Sequence, residues 1–378
     1  MHPAKSWIQI DARAYAQNLR TIESRLKPGV TLCAIVKANA YGHDIATMVR
    51  LAKASGVDHF GVDSIDEAII VRNTAPDATI FVLGYTVAER MPDIITHNLI
   101  QTIYDEQTVK NLADAALAQQ STAQLNIKIE TGTQRQGVGD RNLKSLLAEI
   151  ERQTSAVNLV SVSSHFSSSE DLSKEQVVED QNAIFSKALE EIQRFGFTPK
   201  YKHISCSAST LLYPSAHHNL VRIGIAQYGL WPSVELRREL LSSTELTPVL
   251  SWKARIAQVK DIKSGTPVGY GQSFVSDRPL RIAVIPVGYY DGYPRSLKNK
   301  AYMLVKGQKC NVIGNICMNM CMIDVSAVAD VKRDDIATLV GRDGLNQITL
   351  DDLATFTSTI NYESVTTIKS HLPRIVVN

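Results

Sequence analysis

The chain has 378 residues, more than one ordinary domain of roughly 150 residues would need, and composition that is 44% hydrophobic and 21% charged excludes global disorder. Forty Lys and Arg against 38 Asp and Glu leave a net charge of +2, without the basic block of a nucleic-acid binder. Charges at Lys5, Asp11, Arg13 and Arg20 break any signal-peptide core, no run reaches the ~20 apolar residues of a membrane helix, and five cysteines without a CxxC pair signal neither a disulfide framework nor a zinc site. The expectation is a soluble, cytoplasmic protein with no nucleic-acid or membrane partner and no metal.

Asp11 caps a predicted helix in which Tyr15, Leu19, Ile22 and Leu26 share one face, ended by Pro28-Gly29. A buried-strand run, TLCAIVKA (31–38), follows, then a helical stretch from Asp44 to Gly56. Further strand candidates are HFGVDS (59–64), TIFVLG (79–84), LIQTIYD (99–105), QLNIKIET (124–131), NLVSVSSHF (158–166), YKHISCS (201–207) and LVRIGIAQYG (220–229). Eight such runs, separated by helix-length segments, predict an α/β fold: a (β/α)8 TIM-like barrel. After Leu241 short β-rich runs dominate, namely VLSWKARIAQV (249–259), RIAVIPVGYY (281–290), AYMLV (301–305) and CMIDV (321–325), with a helical segment at Leu350 to Phe356. The predicted domains are a barrel over 1–240 and a smaller, mostly-β C-terminal domain over 241–378.

Barrel active sites lie at the C-terminal ends of the strands. The first strand ends at Lys37, where a lysine held against apolar side chains would shed its proton and react with an aldehyde. A lysine in that place more commonly snorkels to solvent. The fifth strand leads to Arg135 on a Gly-flanked loop, suited to a carboxylate, although such an arginine is usually a plain surface residue. His165 ends the sixth strand, Ser207 the seventh, and Arg222, Gly224 and Ile225 fall in the eighth. Loops at those last strands offer backbone N–H groups to phosphates. A lysine, a histidine, an arginine and a phosphate cradle at one mouth suit pyridoxal 5'-phosphate (PLP).

The string VKANAYGH (36–43) resembles the PLP-lysine motif of the alanine racemase family. KIETGTQRQGVG (128–139), SSHFSSSED (163–171), HISCSAS (203–209), VRIGIAQYGLWP (221–232), GYGQSF (269–274), IPVGYYDGYPR (285–295), GNICMNM (314–320) and TINYE (359–363) extend the resemblance, in register, across both predicted domains. It implies a PLP-dependent isomerase that interconverts L- and D-alanine, feeds D-alanine to peptidoglycan, and works as a head-to-tail homodimer with shared active sites.

The resemblance makes Lys37 the cofactor-bearing lysine and one of two bases, with Tyr270 of the partner subunit as the other. A racemase needs a base on each face of Cα, because a single fixed base tends to return the proton to the side it left. Arg222 is implied at the pyridine nitrogen, with His165 beside the ring. Ser207, the amides of Gly224 and Ile225, and the hydroxyls of Tyr41 and Tyr362 are implied at the phosphate. Arg135 and the Met318 amide are implied at the substrate carboxylate. Lys128 matches a lysine carbamylated in some family members. Tyr289, Asp171, Arg295 and Ile360 match the substrate entrance. Departures from the family pattern are Thr133-Gln134 for Met-Gly, Cys206 for Asn, Asn315 and Asn319 for Arg and Asp, and His371 for Arg. They leave a serine or broad-specificity racemase as an alternative, since a small pocket rejects an added hydroxyl only about a hundredfold. A non-catalytic PLP-binding barrel would lack the second domain, and a PLP decarboxylase would call for an acid where Arg222 stands.

Overall fold

The computed structural model describes residues 4–378. Packing divides them into two compact units. One comprises Tyr15–Ala40 and Ile45–Thr247; the other joins the chain up to Ala14 to Tyr41–Asp44 and Pro248–Asn378.

After a first strand β1 (Ser6–Asp11), which belongs to the second unit, the first unit is a barrel of eight parallel strands. These are β2 (Thr31–Ile35), β3 (His59–Val62), β4 (Thr79–Val82), β5 (Ile100–Ile103), β6 (Ala123–Lys128), β7 (Val157–Ser163), β8 (Tyr201–His203) and β9 (Leu220–Ile223). Their order in the sheet is their order in sequence, and β9 returns to pair with β2. The ring closes through the Asn219 N–H to the Lys202 carbonyl (3.4 Å) and the Arg222 N–H to the Ser205 carbonyl (3.1 Å). The strands read as continuous apolar runs because helices cover one face and the barrel core the other. Residues Leu32–Ile35 of β2 and all of β9 are buried. Helices fill the crossovers, with Ser64 and Asp105 capping theirs through bonds to the backbone N–H groups of Glu67 and Thr108.

In the second unit β1 joins β10 (Leu250–Arg255), β11 (Gln258–Ile262), β12 (Leu280–Ile285), β13 (Tyr302–Val305), β14 (Gln308–Ile313), β15 (Cys321–Asp324), β16 (Ile336–Asp343), β17 (Asn346–Ile348) and β18 (Arg374–Val377) in a ten-stranded sheet. Alternation of buried and partly exposed residues along β10 marks one covered face. Val268 with Leu280 and Ile282 of β12, Ile313 of β14 and Met322 of β15 form a local core elsewhere in this unit.

Two expectations change. The run 249–259 is two strands, because at its middle the Ile256 N–H bonds to Asp335 and the Ala257 N–H to Val284, so the chain switches partners. A division at residue 240 also misplaces β1, which lies between β10 and β18. Its hydrogen-bonding partners, from Val249 to Val377, lie in the far C-terminal part of the chain, beyond the reach of any local pattern. Among the described residues no helix is long and apolar enough to cross a membrane.

Candidate active site

The lysine at the end of β2 is held from behind. The Ile35 carbonyl accepts from Gln227 Nε2 (3.0 Å) and the Tyr228 hydroxyl (2.9 Å). Gln227 is itself locked by the Tyr15 hydroxyl and the Ile223 carbonyl. Beyond Lys37, residues Ala38, Asn39 and Ala40 all lie at φ 52°, ψ 49°, a turn of left-handed helix that costs L-residues roughly 1–2 kcal/mol each. The turn persists because Ala40 N–H bonds to Val36, Asn39 N–H to Glu67, and Asn39 Oδ1 accepts from the Ile45 N–H. Lys37 Nζ stands 3.9 Å from Asp63 and its side chain is 42% exposed. Lys128 at the end of β6 is buried and pushed well below its ordinary pKa by burial and by the charges of Arg222 and Arg135, with Glu130 opposing.

Arg222, buried at the end of β9, donates to the carbonyls of Ser164 (2.6 Å), His203 (3.0 Å) and Ile204 (3.2 Å), and to the rings of His165 and His203 through Nδ1. Burial, then the Arg222 charge, holds both histidines well below their usual pKa, so they are neutral acceptors. Burial draws Arg222 itself down to about 10, which still leaves it a cation at neutral pH. Sequence reasoning misses His203, whose signal is its position as the last residue of β8, just ahead of Ser207.

The Ser207 hydroxyl accepts from the amides of Gly224 (3.0 Å) and Ala226 (3.3 Å), joining the ends of β8 and β9 in a buried cradle that includes Ile225. Arg135 is exposed on the loop after β6. That loop is organised by Glu130, which sequence reasoning also misses. Burial would raise the Glu130 pKa, but the amides of Gly132, Gln134, Arg135 and Thr133 hold it low, the first at 2.6 Å. Thr133 donates to the His165 carbonyl at 2.8 Å, and Cys206 lies 3.3 Å from Ser169 Oγ. Asp171, exposed, caps a short turn through Ser173. The barrel mouth thus gathers Lys37, Arg135 and Arg222, whose charges all bear on Lys128. That excess of cations beside buried amides fits an anionic phosphate and a substrate carboxylate, and Arg222 has donors to offer a ring nitrogen; PLP fits this donor set.

In the second unit Tyr270 and Met318 line one groove of about 980 Å³, together with Tyr289, Arg295, Asn315 and Asn319. Tyr41 and Tyr362 lie with ring centroids 6.3 Å apart. Ile360 is exposed ahead of helix Asn361–Thr366. His371 Nε2 meets the buried carboxylate of Asp291 at 2.9 Å and its ring stacks on Tyr290.

Residues 10–232 match the family model described as alanine racemase, N-terminal domain, and 249–376 the alanine racemase C-terminal domain. The alanine racemase of Leptospira interrogans serovar Lai is 38% identical over 378 residues, 99% of this chain and 96% of that protein. Alanine racemase 1 of Oceanobacillus iheyensis is 33% identical, covering 98% and 97%. The crystal structure of the Bacillus anthracis alanine racemase with bound L-Ala-P superposes with a TM-score of 0.94 at 30% identity, covering 100% of this chain and 96% of that one. The Bartonella henselae alanine racemase with covalently bound pyridoxal phosphate gives 0.86 at 27% identity over 99% and 100%.

Proposed function

The chain belongs to the alanine racemase family, and from that membership we propose how its residues divide the work of interconverting L- and D-alanine. It is an amino-acid racemase, an alanine racemase, whose cofactor is PLP. When bound, PLP supplies the electron-withdrawing ring that makes the Cα proton of an amino acid removable.

Lys37 Nζ moves the proton on one face of Cα and Tyr270 Oη moves it on the other, since a racemase must deliver to both. Arg222 donates to the ring nitrogen and, being permanently charged, does not surrender a proton to it. The observation that carries this reading is the setting of Arg222: two neutral histidines and three carbonyls face its guanidinium. Such a setting keeps electron withdrawal modest and favours return of the proton over transamination. Ser207 and the amides of Gly224 and Ile225 hold the phosphate, to which Tyr41 and Tyr362 remain assigned by motif. Arg135 and the Met318 amide hold the substrate carboxylate.

Tyr270 acts in the site of a second copy of the chain. In support, Tyr270 is 76% and Met318 54% exposed on one groove, so neither side chain is used up by packing within its own protomer. A cytoplasmic location, with D-alanine drawn off for peptidoglycan, completes the proposal; the five cysteines are all free thiols. Side-by-side turnover of L-alanine, L-serine and L-lysine by the PLP-loaded protein tests it. Alanine is expected to be fastest, and faster serine or lysine would overturn the assignment of alanine as substrate.

A further inference from the structure

Tyr270 is so exposed that no packing within its own protomer sets where the phenol goes; backbone alone must do so. That backbone is a tight loop closed by the Val268 N–H to the Phe274 carbonyl (2.9 Å), in which Gly269 (φ 75°), Gly271 (φ 67°) and Gln272 (φ 47°) are left-handed. Two glycines flanking a base make a flexible mount unless something ties it.

Two asparagines tie it. Asn299 donates to the Ser273 carbonyl (3.3 Å) and accepts from the Gly314 N–H (2.9 Å), joining the loop's far end to the neighbouring segment. Asn315, next in that segment, donates through Nδ2 to the carbonyl of Tyr270 itself at 2.6 Å. A carbonyl only accepts, so the amide orientation is fixed. Asn315 Oδ1 is left buried with no partner among the described residues. The Gly269 Cα also lies close over Asn315, since a Cβ there would sit 3.4 Å from its backbone N and O. Asn315 is one of the positions at which the sequence departs from the family pattern.

We propose that Asn315 is the positioning residue for the Tyr270 base: its side-chain amide, bonded to the Tyr270 carbonyl, fixes the loop that presents the phenol oxygen to Cα in the partner's barrel. The inference rests on the two-base reading above.

The experiment follows Cα–H exchange in D2O, from L-alanine and from D-alanine separately, in the PLP-loaded protein and in Tyr270→Phe, Asn315→Ala and Asn315→Asp. Asn315→Asp keeps the shape and removes the donor, which guards against a variant that simply fails to fold. Loss of one well-aligned hydrogen bond is expected to slow abstraction about tenfold in both Asn315 variants. That loss is confined to the enantiomer whose exchange Tyr270→Phe abolishes. If Tyr270→Phe abolishes exchange from one enantiomer while the Asn315 variants slow both alike or neither, the positioning role falls and the base assignment stands. If Tyr270→Phe leaves both rates intact, the base assignment falls and this inference with it.

Discussion

Arg222 Nη1 donates to His203 Nδ1, and this contact sets the tautomer of the histidine, leaving its proton on Nε2 to reach Ser161 Oγ at 2.9 Å. His165 accepts from the same guanidinium at 3.2 Å. A protonated ring in either place would turn an acceptor into a donor facing a cation.

Acid should therefore unfold this barrel earlier than its carboxylates require. Unfolded histidines bind protons near pH 6.5, whereas burial and Arg222 keep His203 and His165 neutral far below that, and burial draws His218 down to about 4. Below about pH 6.5 the unfolded state binds more protons, so stability falls as pH falls, by up to about 1.4 kcal/mol per pH unit for each group. Above that pH these groups contribute no slope. Thermal midpoints from pH 7.5 to 5 should drop, and His203→Gln should lessen the drop; an unaltered slope in that variant contradicts the neutral-imidazole arrangement.

The support behind Lys37 can be graded by substitution. Gln227→Leu strands the Tyr15 hydroxyl and takes a donor from the Ile35 and Ile223 carbonyls, a cost of about 1–3 kcal/mol for buried groups left unpaired. Tyr228→Phe leaves Ile35 with its Gln227 bond and should cost less, about 1 kcal/mol. Denaturant midpoints should fall in that order, with Gln227→Leu also slowing turnover because the strand end carrying Lys37 loosens. Equal midpoints for the two variants would dismiss the view that Gln227 is the hub.

The proposal that two copies of the chain share their active sites makes a quantitative forecast for mixed subunits. Lys37→Ala and Tyr270→Phe chains are each inactive alone in both sites of a homodimer. After random exchange half the dimers are mixed, and each mixed dimer holds one site with both native groups, so about a quarter of wild-type activity returns. Sites built within one chain give no recovery on mixing. Activity after co-refolding equal amounts of the two variants decides between these outcomes.

The barrel was legible because each of its strands is a local apolar run bounded by turns, and Lys37, Ser207 and Arg222 fall at strand ends where chemistry is expected. What escaped notice was made by distant pairing. β1 becomes a strand only against β10 and β18, and the break at Ile256–Ala257 arises from a change of partners rather than from a turn residue. Glu130 lies in KIETGTQRQGVG and His203 in HISCSAS, yet their work, gathering loop amides and accepting from Arg222, depends on folded geometry. The burial of Lys128 among Arg222 and Arg135 is likewise a product of the folded mouth, which no local pattern around residue 128 reveals.

The left-handed turn after Lys37 sets stability against catalysis. Ala38 is exposed, so replacing it with glycine removes a methyl group that packs against little while relieving a conformation that L-residues disfavour by roughly 1–2 kcal/mol. Glycine's extra freedom in the unfolded chain offsets about half of that, leaving Ala38→Gly more stable by up to about 1 kcal/mol. The same freedom loosens the segment holding Lys37, so kcat should fall severalfold with little change in KM. Gly42, two residues beyond Ala40, answers oppositely. It sits at φ 79° with an added Cβ only 2.5 Å from the Val365 carbonyl oxygen, so Gly42→Ala should destabilise clearly. Thermal midpoints and steady-state kinetics of both variants test the pair, and a lowered midpoint for Ala38→Gly would mean that the turn is not strained in the folded protein.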